Sequence, residues 1–178
     1  MNVCSEAEHV GDIERLNRTV KERARGVVTH LPYKKLPGRM VIELVHLCAF
    51  WLNVFPPRLK TIHPTMSPRD ILTGLEVDFN NHCKLKFGEY VHTCEEHNNT
   101  MASCTCAAIS LWPTCNTLGG YYFISVRTGA RISQNHCTGL PLPSTVKLAI
   151  GQLAENNPEG LDICDRNRCV IALDDSAG

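Results

Sequence analysis

The stretch "DIERLNRTVKERAR", residues 12–25, sets the carboxylate of Glu14 ahead of Arg15, Arg18, Lys21, Arg23 and Arg25. A carboxylate is a hard oxygen ligand for Mg2+ or Mn2+, and closely spaced Lys and Arg neutralise phosphates. On a helix Arg18, Lys21 and Arg25 lie four, seven and eleven residues beyond Glu14 and share its face. Such a face could carry a bound metal at one end and a phosphate backbone along the rest. The plainer alternative is a Glu-to-Arg pair one turn apart, worth only about 0.2–0.5 kcal/mol.

The second chemistry-bearing set is thiol. Of ten cysteines, Cys94, Cys104, Cys106 and Cys115, with His92 or His97, have the residue types zinc takes, and Cys137 follows. The spacing is poor for zinc, because structural sites normally use two compact C-x(2–4)-C pairs and only one C-x-C is present. No apolar leader precedes the charged first thirty residues, so free thiols in a reducing compartment, nuclear or cytoplasmic, are expected.

The formal net charge of zero hides a gradient. Residues 15–39 carry eight Lys or Arg against Glu22, a net +7, while residues 141–178 carry three bases against six acids, a net −3. A basic region on a neutral chain points to an anionic partner, nucleic acid first among them. The competing reading is a solvated helix face. The longest apolar stretch, "MVIELVHLCAFWLNVF", is interrupted by Glu43 and His46 and is too short for a bilayer, so no membrane partner is expected. With no G-x-S-x-G, P-loop or G-x-G-x-x-G present, hydrolase, NTPase and dehydrogenase chemistry has no support.

These residues need elements to hold them. Ile13, Leu16, Val20, Ala24, Val27 and Leu31 recur at helical spacing, predicting a helix with one buried stripe. It starts between Ser5, which heads a possible capping box with Glu8, and Asp12, and stops by Pro32. A second helix over about Arg39–Phe55, apolar on most sides, is expected to lie buried between neighbours, with Phe50, Trp51 and Phe55 in the core. "SPRDILTGLE" predicts a short helix with Ser67 as N-cap, Pro68 at its first position and Gly74 near its end. From Phe87 the pattern changes to "KFGEYVHT", "AAISLWP", "GYYFISVR" and "ARISQN", four short strands of a small antiparallel barrel or curled sheet. Alternation places Phe123 inside and sends at least one of Tyr121 and Tyr122 outward; Trp112 and these tyrosines could otherwise stack on bases. "STVKLAIGQLAE" reads as a last helix, followed by an acidic end.

In this order, "DIERLNRTVKERAR", "LPYKKLPGRMVIELVHLCAFWLNVFPP", "SPRDILTG", "FGEYVHT" and "GGYYFISVRTGARI" resemble the integrase region of the Pol polyprotein of copia-type LTR retrotransposons, over roughly residues 5–143. The resemblance implies an α+β fold: helices from the C-terminal part of an RNase H-like core (1–60), a linker with a short helix (61–83) and a small antiparallel β-barrel (84–143); the short helix and acidic tail read from the residues (144–178) follow it. It implies that Glu14 is the third acid of a D, D, E triad holding Mg2+ or Mn2+ for DNA joining. It also implies DNA as partner, both the element's ends and the target, an oligomer with integrase or polyprotein chains, and a virus-like particle in the parent element.

The chain departs from that pattern. Only thirteen residues precede Glu14, so the two upstream acids are missing, and Asp12 would point about 200° around the helix. The expectation is therefore a fragment, inactive alone, whose basic helix still binds nucleic acid through Arg15, Arg18, Lys21, Arg23 and Arg25. Cys104, Cys106, Cys115 and Cys137 stand where the family tends to have Arg, Gly or an aromatic. The alternative is a non-enzymatic, cysteine-rich metal-binding or protein-interaction module.

Overall fold

Gly11–Val28 forms α1 and Gly38–Val54 forms α2 in the computed structural model, which describes residues 11–55, 63, 65–94 and 103–156. The two helices join through Val28, Leu44 and Cys48, with Val20, Ala24 and Val27 partly buried beside them. The stripe predicted for α1 is buried only in its C-terminal half: Ile13 and Leu16 are 56% and 55% exposed. Among the described residues, Leu44 and Cys48 of α2 pack against the C-terminal half of α1 and not against its first turns. Ser5 and Glu8 lie outside the described residues.

α2 also departs from expectation. It buries Met40, Glu43, Leu44, Cys48 and Val54. Ile42 and Val45 face outward, 45% and 46% exposed, on a side of α2 outside the clusters it forms with α1 and the sheet. Its end at Phe55 is extended, φ −99° and ψ 139°, as a residue preceding proline prefers.

α3, Pro68–Thr73, is closed by a reciprocal capping box: the Asp70 amide donates to Ser67 Oγ and the Ser67 amide to Asp70 Oδ2, both at 3.1 Å. Gly74 ends it at φ 68°, a left-handed position that favours glycine. A one-turn helix, α4 (Phe79–His82), follows.

Five strands come next: β1 (Tyr90–Cys94), β2 (Thr105–Pro113), β3 (Tyr121–Ser125), β4 (Arg131–Gln134) and β5 (Cys137–Gly139), before α5 (Ser144–Glu155). They form one antiparallel sheet in the order β4-β3-β2-β1-β5. Only Asn135 and His136 separate the two edge strands, so Gln134 and Cys137 are at most about 11 Å apart. In a flat sheet, four interstrand steps of about 4.8 Å would hold those edges about 19 Å apart. The sheet is therefore strongly curled, with its hydrogen-bond ladder open between β4 and β5. A register shift in β2 between Ser110 and Pro113 marks where that long strand bends.

The curl creates two faces. Inside it, Val91, Ala108, Tyr121 and Phe123 pack with Ile132 of β4 and Cys137 of β5, so both edges share one interior. Outside it, Tyr90, Ile109, Leu111 and Ile124 are covered by Tyr33 and Met40 on one side and by Val146 and Ile150 of α5 on the other. Phe123 is buried as expected, Tyr121 faces inward, and Tyr122 is the outward member of the run. Helices on one face of an antiparallel sheet make this an α+β fold. Gly88 has φ 82°, and a Cβ there would collide with Leu31, so glycine lets the α1–α2 loop close on the start of β1.

Candidate functional site

α1 places the predicted residues by helical period alone. Glu14, Arg18, Lys21 and Arg25 run along one face, and all four are exposed. Arg15 is turned about 100° away from Glu14, and Arg23 about 180°. The Arg23 charge is felt by Cys48 of α2, where it opposes the effect of burial, which pushes that thiol's pKa up. Arg18 donates through Nε to Glu22 Oε1 at 2.8 Å, with both side chains well exposed. That bond, and then the charge of Glu22, push the Arg18 pKa further up, so the guanidinium stays charged throughout the physiological range. The structure thus groups four of the six predicted residues on one surface and sets Arg15 and Arg23 on others.

The most strongly engaged charge in the described chain is one the sequence presented only as a break in an apolar run. Glu43 of α2 is 1% exposed. Its Oε2 accepts from Trp112 Nε1 at 2.8 Å, and its Oε1 lies 3.2 Å from Arg39 Nε and 3.3 Å from Arg131 Nη1. The Arg131 guanidinium sits 4.7 Å over the Tyr122 ring, Tyr122 packs on Trp112 at 4.8 Å, and His46 lies parallel to Trp112 at 6.1 Å. This network joins α2 to β2, β3 and β4. A buried carboxylate surrounded by three donors is suited to holding a helix on a sheet. Arg39 four residues before Glu43 was the one local clue; Arg131 is 88 residues away and gave none.

A second aromatic group closes the far end of α2. Trp51, Phe55 and Phe79 meet pairwise at 6.1, 6.4 and 6.3 Å with near-parallel rings. Phe50 and Trp51 are only half-buried, and Phe55 and Phe79 are 51% and 52% exposed, so the expectation of a core position fails for Phe55. These rings cover one another at the surface, and Phe50 links them to Trp112 of β2 at 5.9 Å.

The described thiols do not assemble into a metal site. Thr93 stands opposite Cys106 and Cys94 opposite Thr105, which puts Cys94, Cys104 and Cys106 at one end of β2, whereas Cys115 follows the other end. Burial pushes the pKa of Cys83, Cys115 and Cys137 up, the opposite of an activated thiolate. Among the described residues no three of His, Cys, Asp and Glu come together as metal ligands. That bears on Mg2+ or Mn2+ as well: among the described residues no such group forms around Glu14, and one carboxylate does not fit a catalytic metal pair. His97 lies outside the described residues. Among the described residues no helix is long and apolar enough to cross a membrane. No protein-family model, curated protein or solved structure matches this chain.

Proposed function

We propose that the chain is a nucleic-acid-binding piece of a copia-type retrotransposon integrase, combining helices from the end of an RNase H-like core with a small barrel-like sheet. The observation that supports this most is the exposed face of α1, on which Arg18, Lys21 and Arg25 follow Glu14. A cationic face of this kind engages the phosphate backbone with little sequence preference. Arg15 extends the positive field to the flank of the helix and Arg23 to its opposite side. Under this reading Glu14 marks the position of a third triad acid, and DNA joining with Mg2+ or Mn2+ belongs to the intact parent enzyme. Location in the nucleus, the cytoplasm or a virus-like particle goes with the same reading.

The test is binding of a short labelled duplex, followed by fluorescence anisotropy over a salt series. The logarithm of affinity should fall linearly with the logarithm of salt. Changing Arg15, Arg18, Lys21, Arg23 and Arg25 to Ala should make that slope shallower by about 0.9 for each phosphate that is no longer neutralised. An unchanged affinity and slope would reject the reading. A protein-interaction module is the second reading, favoured by the exposure of Phe55, Leu72 and Phe79 at 51%, 85% and 52%.

A further inference from the structure

Away from α1, two thiols flank a single polar contact. α4 lies against the loop between β2 and β3, residues 114–120, where His82 Nε2 is 3.1 Å from the Asn116 carbonyl oxygen. Beside it, Tyr121 Oη accepts from the Lys84 amide at 2.9 Å and donates to the Asn81 carbonyl at 3.4 Å. Gly119 is packed so closely on Asn81 that an added Cβ would come within 3.3 Å of the Asn81 Cβ. Cys83 and Cys115 each stand one residue from the His82–Asn116 contact, one on either side of it. Cys83 is exposed, Cys115 is buried, and both are free thiols.

This contact carries two local costs. His82 is 5% exposed, and its Nδ1 has no hydrogen-bond partner among the described residues. Cys115 has φ 56°, a left-handed conformation uncommon outside glycine. A shift that relieves either one offsets part of what moving Cys115 costs. The two sulfurs also sense each other: burial pushes the Cys115 pKa up, the Arg69 charge opposes this, and Cys83 adds to it. Cys94 and Cys137 make an instructive contrast. The Cys94 amide donates to the His136 carbonyl at 3.4 Å, but the residue paired with Cys137 is Thr93, so alternation turns Cys94 to the other face of the sheet. Thiols whose Cβ vectors point apart cannot be bridged.

We propose that Cys83 and Cys115 form a redox latch, a disulfide that ties α4, and with it the surface made by Trp51, Phe55 and Phe79, to the β2–β3 loop. The oxidant is a small disulfide such as oxidised glutathione. The exposed Cys83 thiolate attacks one of its sulfurs and expels a glutathione thiolate, which takes up the proton that Cys83 gave up. The Cys115 thiolate then attacks the Cys83 sulfur, forms the S–S bond and expels the second glutathione. Two protein thiols are oxidised and one glutathione disulfide is reduced to two thiols; a reducing pool runs the exchange backward. Burial pushes both thiol pKa values up, so the latch should close faster as pH rises.

The test holds the full chain native at about pH 8 in a glutathione buffer with the oxidised form in excess, then alkylates it and maps its peptides by mass spectrometry without reduction. A peptide pair joined through Cys83 and Cys115, two hydrogens lighter than its reduced parts, should dominate, and no Cys94–Cys137 link should form. Glutathione that stays on Cys83, or a Cys83–Cys115 link that is only one of many scrambled pairs, overturns the proposal. Closing a loop of about 30 residues should also raise the urea midpoint by about 1 M. Dithiothreitol should reverse that rise, and Cys83→Ser should abolish it. A linked chain whose midpoint does not move overturns the latch.

Discussion

α1 and the Glu43 network use the same residue types to opposite ends. On α1, Arg18 and Glu22 meet at 2.8 Å in water, where side-chain entropy and screening cancel most of the attraction. Around Glu43 the carboxylate is removed from solvent, and its bonds to Trp112, Arg39 and Arg131 must offset its desolvation. The first arrangement leaves cations accessible to a phosphate, and the second commits them to the fold. Burial, rather than charge or spacing, separates a surface suited to binding from a structural lock.

The sharpest way to break this contrast is Glu43→Ala. It leaves the Trp112 indole N–H and two half-exposed guanidinium groups without their acceptor, and should cost about 3 kcal/mol in urea unfolding, the upper end for losing hydrogen bonds to a charged group. A loss under about 1 kcal/mol would place Glu43 with the surface charges and erase the distinction. Trp112→Phe keeps an aromatic ring and removes one hydrogen bond to a charged acceptor, for an expected loss of about 1.5–3 kcal/mol.

Tyr33 offers a pH test of the same burial. It is 3% exposed, its Oη donates to the Gly88 carbonyl at 2.8 Å, and desolvation pushes its pKa well up from the usual value. The folded chain therefore keeps this proton to higher pH than the unfolded chain does. Its contribution to stability is full below about pH 10 and is lost as pH rises through the range above. Tyr33→Phe should cost about 1 kcal/mol at neutral pH and flatten the alkaline part of the stability curve. A curve that is equally steep in both proteins would assign the alkaline loss to other groups. The smallest effect belongs to Arg18→Ala, for which thermal unfolding should be unchanged while the salt slope of DNA binding falls. A clear drop in melting temperature would make Arg18 part of the scaffold.

What the sequence made legible follows from how local each feature is. The Ser67 N-cap of α3, its Pro68 and Gly74, and the extent of α5 over "STVKLAIGQLAE" are written in neighbouring residues and appear in the structure as read; the reciprocal bond from Asp70 was not read. The residues of α1 were placed on a helix correctly, yet periodicity could not tell that Ile13 and Leu16 stay largely exposed. β5, three residues ending in glycine, resembles a turn until pairing with Val91, His92 and Thr93 makes it a strand. α4 is four residues long, too short for a period to show. Glu43 was the largest omission: a single acid in an apolar helix has no local signature when its decisive partners lie on β2 and β4.

The two-residue link between the edge strands has a consequence for behaviour at high concentration. An open sheet normally offers bare N–H and C=O rows to which a strand from another molecule can add, the first step toward ordered aggregates. Here the two edges are four and three residues long, and Asn135 and His136 pull them toward each other around the same interior. Little straight, unpaired strand remains for an incoming chain to extend. Self-association of this protein should therefore proceed through exposed apolar side chains such as Leu72 and Phe79, remain amorphous and yield to mild detergent, without growth of fibrils along the sheet.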